Sequence, residues 1–98
     1  MLHTVNKSPF GNGTLESCLR FVNPGDVILL LEDGVFAARA GTAKSALVAE
    51  ALKKNEILAL SADIKARGLT GNLVAGVKVT DYDGFVDLVE KHTTHAWL

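Results

Sequence analysis

Val27 to Leu31 is an unbroken run of five aliphatic residues, entered from Pro-Gly-Asp and closed by Glu-Asp-Gly. A strand with one wet face alternates apolar and polar residues, and this run does not. It is also far too short to span a bilayer. What remains is a strand covered on both faces, the arrangement of a parallel sheet packed between helices.

The flanking segments fit that sheet. "LHTV" (Leu2 to Val5) is a short β-prone run ended by the loop "NKSPFGNG". Leu15, Cys18, Leu19 and Val22 recur at i, i+3, i+4 and i+7, which predicts an amphipathic helix. "NPG" (Asn23 to Gly25) stops it, because the residue before proline avoids the helical region. After "DVILLL", "VFAARAG" reads as a short helix. "TAKSALVAEALKKN" reads as a longer one, with Lys53 and Lys54 in its last turn, where the dipole favours cations. "EILALS" is a further strand, Asp63 an N-cap for the helix "IKARG", and Gly68 its stop. "VKVTD" is a slightly polar strand that belongs near an edge. "YDGFVDLVEKH" closes the pattern as a helix with Phe85, Leu88 and Val89 on one stripe. Strands alternating with helices imply right-handed crossovers and a mainly parallel sheet of four to five strands in a small three-layer α/β sandwich.

At 98 residues the chain is expected to form a single domain spanning 1–98. So few short helices cannot cover both sheet faces fully, which predicts spare apolar surface and an oligomer. Ten Lys and Arg stand against eleven Asp and Glu, with no long basic run, so direct nucleic-acid binding is not expected. A single cysteine excludes an internal disulfide and points to a reducing, cytoplasmic setting. "MLHTVNKSPF" lacks the features of a secretory leader, and neither a leader nor a membrane span is expected.

Few motifs carry chemistry. "GNGTLE" follows the first strand, but Glu16 stands where a dinucleotide fingerprint needs its third glycine, and no Walker lysine follows. His3, His92, His95 and Cys18 lack metal-ligand spacing, and there is no nucleophile elbow. No metal or cofactor is therefore expected. Asp33 and Gly34 fall at the carboxyl end of the second strand, where open α/β sheets place ligand-contacting groups, although both residue types also suit a plain turn. Cys18 shares the Leu15–Leu19–Val22 stripe, which points it inward or into an interface. It lies about a turn into its helix, so the helix dipole activates it little.

Several segments together, "LHTVNKSPF", "ESCLRF", "GDVILLLEDGVFAA", "ADIKARGL", "DYDGFVDLVEKH" and the final "AWL", resemble the DsrH/TusB family of sulfur-relay subunits, from Leu2 to Leu98. The resemblance implies a small parallel α/β fold. It also implies assembly with DsrE/TusD-like and DsrF/TusC-like subunits as a dimer of heterotrimers. Such complexes pass persulfide sulfur between cysteines, and no cofactor is implied. In TusBCD systems the sulfur moves through a further carrier towards 2-thiolation of the wobble uridine of tRNA. In Dsr systems it feeds cytoplasmic sulfur oxidation. The principal carrier cysteine of the family lies in the DsrE/TusD subunit. "VNKSPF" and "ESCLRF" lean towards the DsrH side, where Cys18 matches a cysteine of the first helix. Cys18 is accordingly the candidate persulfide carrier, set against an accessory role in which it only packs. A third reading is a regulatory or purely structural module with a small-ligand pocket at Asp33 and Gly34.

Overall fold

The computed structural model describes residues 1–98. In chain order it contains β1 (Leu2–Val5), α1 (Thr14–Phe21), β2 (Val27–Leu30), a 3₁₀ helix (Glu32–Ala38), α2 (Ser45–Ala51), β3 (Glu56–Leu60), α3 (Ser61–Ala66), β4 (Lys78–Thr80), α4 (Tyr82–Lys91) and β5 (Thr94–Trp97). The strands form one five-stranded sheet in the order β4–β3–β2–β1–β5, and every pairing is parallel.

β2 lies at the centre, and all four of its residues are buried. Its side chains alternate between two apolar clusters. Ile28 and Leu30 join Val5, Ile57 and Ala59 on one face. Val27 and Leu29 join Leu2 and Leu58 on the other. An aliphatic run without alternation is what two covered faces require.

Chain direction explains where the helices sit. The steps from β1 through β2 and β3 to β4 all move the same way across the sheet, so right-handed crossovers put their connections on one face. The step from β4 to β5 runs back past three strands, and the same handedness puts α4 on the opposite face. The packing agrees. Leu15 and Cys18 of α1, Val35 of the 3₁₀ helix, Val48 of α2 and Ile64 of α3 belong to the larger cluster. Only Phe85 and Leu88 of α4 and Leu31 pack against the smaller one. The three layers are unequal, with four helical segments on one side of the sheet and one on the other.

Several local expectations need correction. The segment read as a helix over "VFAARAG" is a 3₁₀ helix that starts earlier, at Glu32, and closes i→i+3 bonds such as Gly34 N–H to Leu31 C=O at 2.9 Å. Glu32 itself takes a left-handed backbone, φ 50°, which ends β2 abruptly. The helix read over residues 42–55 is confined to Ser45–Ala51, so Lys53 and Lys54 lie in the turns that follow it. Asp63 is not an N-cap. α3 starts two residues earlier, at Ser61, and the Asp63 carboxylate instead accepts the Glu32 N–H at 2.7 Å. Gly68, at φ 67°, follows α3 as the stop signal predicts. The polar strand β4 is an edge strand, as its composition implies.

Candidate functional site

Cys18 sits on the sheet side of α1 because Leu15 and Cys18 share one stripe of that helix, and both are buried. The thiol has no solvent exposure and belongs to the large apolar cluster. Burial pushes its pKa from an ordinary 9.0 up to about 12, and the nearby negative charge of Asp26 adds to the effect. Both causes disfavour the thiolate, which is the nucleophilic form. In this state the thiol is neither reachable nor activated.

Beside it lies a partly buried polar network built on β1, the turn before β2 and β5. The His3 ring on β1 is fully buried. Trp97 of β5 donates its indole N–H to His3 Nδ1 at 3.0 Å. An indole nitrogen can only donate, so Nδ1 is an acceptor and the ring proton is on Nε2. Nε2 then donates to Asp26 Oδ2 at 2.9 Å. Asp26 also accepts the Asn23 amide at 3.0 Å and the Met1 α-amino group at 3.2 Å. These donors, His3 first and Asn23 next, hold the Asp26 carboxyl down at about 2. Phe21 and His95 complete an aromatic cluster around Trp97, with the His95 and Trp97 ring centres 4.7 Å apart. The network ties the first strand, the turn before β2 and the last strand together.

Asp33 and Gly34 lie at the carboxyl end of β2, Asp33 exposed and Gly34 buried. Arg67 reaches Asp33 Oδ1 at 3.0 Å and Asp63 Oδ1 at 3.4 Å, and its guanidinium lies 6.0 Å from the centre of the Phe36 ring. These contacts brace α3 against the 3₁₀ helix. Gly34 is buried so close to β1 that a Cβ there would overlap the Val5 carbonyl oxygen. The cleft of the structure is elsewhere, about 280 Å³ between the end of α1 and α2. Leu19, Val22, Leu47 and Ala51 form its apolar walls, and Glu50 and Lys54 are among its polar lining. No group of three or more His, Cys, Asp or Glu side chains is arranged to hold a metal ion. No helix is long and apolar enough to cross a membrane.

Sequence reasoning singled out Cys18 and placed it on the inward stripe, but it did not find the His3–Asp26–Trp97 network. The three residues are spread over 94 positions, and only the pairing of β1 with β5 brings Trp97 to His3. A histidine in a short apolar strand was the one local signal.

Comparison with known proteins gives consistent relationships. A family described as "DsrH like protein" matches residues 7–95. Protein TusB of Serratia proteamaculans is 42% identical over 92 residues, covering 94% of each chain. Protein TusB of Escherichia fergusonii is 41% identical over 98 residues, covering 99% of this chain and all of that one. Among solved structures, a protein of unknown function from Methanobacterium thermoautotrophicum, MTH1491, superposes with a TM-score of 0.78 over 97% of this chain and 96% of that one. Tm0979 from Thermotoga maritima gives 0.65 over 94% of each. At 19% and 23% identity these two structures speak for the fold alone.

Proposed function

The chain belongs to the DsrH/TusB family of sulfur-relay subunits, and on that premise we propose that it is an accessory, non-carrier subunit of a TusB-type relay. The observation that carries the accessory role is Cys18, fully buried with its thiol pushed up to about 12. The names of the relatives at 40–42% identity favour the TusB branch over the DsrH side towards which Cys18 leaned.

Persulfide transfer needs little from a protein beyond exposed, ionised sulfur. An acceptor thiolate attacks the terminal sulfane sulfur of a donor persulfide. The donor S–S bond breaks, its electron pair stays on the donor sulfur, and that thiolate leaves. The acceptor now carries the persulfide, and no net oxidation has occurred. Cys18 meets neither requirement, being inaccessible and protonated at neutral pH. The sulfur then travels on cysteines of other subunits, and this chain shapes the assembly that positions them.

In this reading residues 1–98 act as a single domain in a cytoplasmic complex with DsrE/TusD-like and DsrF/TusC-like subunits, arranged as a dimer of heterotrimers. That complex hands sulfur to a downstream carrier for 2-thiolation of wobble uridine. The near-balance of charge, ten bases against eleven acids, fits a subunit that does not grip tRNA itself. The test is genetic and chemical. Deleting the gene should abolish 2-thiouridine at wobble positions, measured by mass spectrometry of digested tRNA. Both the wild-type chain and Cys18→Ser should restore it. Unchanged thiolation in the deletion strain contradicts the TusB-type assignment. Failure of a folded Cys18→Ser chain to restore it contradicts the accessory role.

A further inference from the structure

α4 is the longest helix of the chain, yet none of its residues is buried. Phe85 and Leu88 rest on the sheet, partly covered. Val89, expected on the same stripe as Phe85 and Leu88, does not pack with them; with Tyr82 and Val86 it recurs at i, i+4 and i+7 as a second apolar stripe on the same helix. They are 61%, 52% and 44% exposed. A helix that needed only to cover its own sheet would carry polar residues there. The neighbouring sheet surface is also open. By register Thr94 and Ala96 of β5 share the face of Leu2 and Thr4, the side on which α4 packs, and both are exposed.

Charge narrows what covers this surface. Asp83, Asp87 and Glu90 repeat the i, i+4, i+7 spacing one residue along and run beside the apolar stripe. Of the eight other acids, Glu16, Asp26, Asp33, Glu50, Glu56 and Asp63 have cationic partners in this chain, and only Glu32 and Asp81 do not. The three acids of α4 have none, and Lys91 is the only base on the helix. A second copy docking with its α4 antiparallel to this one about a two-fold axis would set this acidic stripe against itself. Like charges placed together in an interface cost affinity. A different chain with an apolar ridge edged by Lys or Arg would complement both stripes.

We propose that the outer face of α4, Tyr82, Val86 and Val89 with Asp83, Asp87 and Glu90 as its rim, docks a basic-rimmed apolar ridge on another subunit of the relay. This rests on the reading of the chain as a relay subunit. It adds which surface is used and what chemistry the partner presents.

The experiment co-expresses the chain with DsrE/TusD-type and DsrF/TusC-type subunits from the same organism and measures assembly by co-purification and binding kinetics. Two variants are compared with wild type, each checked for fold by circular dichroism. Val86→Glu with Val89→Glu should weaken association at least about 100-fold. Asp83→Asn with Asp87→Asn and Glu90→Gln changes only exposed side chains. It should slow association about 10-fold at low salt, a difference that closes at high salt. If both folded variants assemble like wild type, the docking surface is elsewhere and the relay reading stands. If wild type binds neither subunit, the relay reading falls and this inference with it. A wild-type homodimer that the Val86 and Val89 changes dissolve would make the occupant a second copy and overturn the basic partner.

Discussion

Modification of Cys18 by a thiol reagent gives the sharpest quantitative test of its surroundings. Alkylation proceeds through the thiolate, so the rate follows the ionised fraction. At pH 8 a thiol of pKa 9.0 is about 10% ionised, and one at about 12 is about 0.01% ionised. That factor of about 1,000 applies even to a reagent already in contact with the sulfur. Cys18 has no exposed surface, so the reagent must also wait for an opening of α1 or of the whole fold. The assay follows iodoacetamide labelling by intact mass, with and without denaturing urea. In urea the thiol returns to ordinary ionisation and should label within minutes at millimolar reagent. The native chain should label at least about 1,000-fold more slowly. Native labelling within about 10-fold of the denatured rate would refute the buried, protonated thiol, and the accessory role with it.

Three further outcomes follow from the fold. The lowered pKa of Asp26, about 2 against 3.8, means its ionised form is favoured in the folded state. That contribution, about 1–2 kcal/mol after allowance for solvent screening, is complete above pH ~4 and lost as pH falls through about 2. Thermal melts should therefore show Asp26→Asn destabilised at pH 7 and much closer to wild type near pH 2; a gap that persists undiminished contradicts the linkage. Trp97→Phe removes the donor to buried His3 Nδ1 and should cost about 1–3 kcal/mol in urea unfolding, whereas an unchanged midpoint would mean the bond carries no net stability. Gly34→Ala forces a Cβ onto the Val5 carbonyl and should destabilise by about 3 kcal/mol or more; a variant as stable as wild type would mean β1 and the 3₁₀ helix can separate freely.

Much of the architecture is legible locally because parallel sheets demand it. The aliphatic run through Val27 to Leu30 occupies the doubly covered central strand. The Leu15–Cys18 stripe buries as its period requires. Boundaries fared worse where tertiary contacts decide them. Asp63 looks like a capping residue in sequence, but the left-handed Glu32 places an amide within its reach, and that amide takes the carboxylate. The His3–Asp26–Trp97 network was illegible for another reason. It depends on β5 returning beside β1, a pairing between opposite ends of the chain. The open flank of α4 was foreseeable only in kind. Too little helix for two sheet faces predicts uncovered apolar surface, but right-handed crossover geometry decides that α4 is the helix left alone.

The central claim is that this chain supports a sulfur relay without carrying the sulfur. The direct measurement is intact mass of each subunit after the co-purified complex is incubated with a persulfide donor, for wild type and for Cys18→Ser. The account predicts that a partner subunit gains one sulfur atom, that this chain gains none, and that Cys18→Ser leaves the partner's gain unchanged. A sulfur atom added to this chain and absent from the serine variant would make Cys18 a carrier and contradict the account.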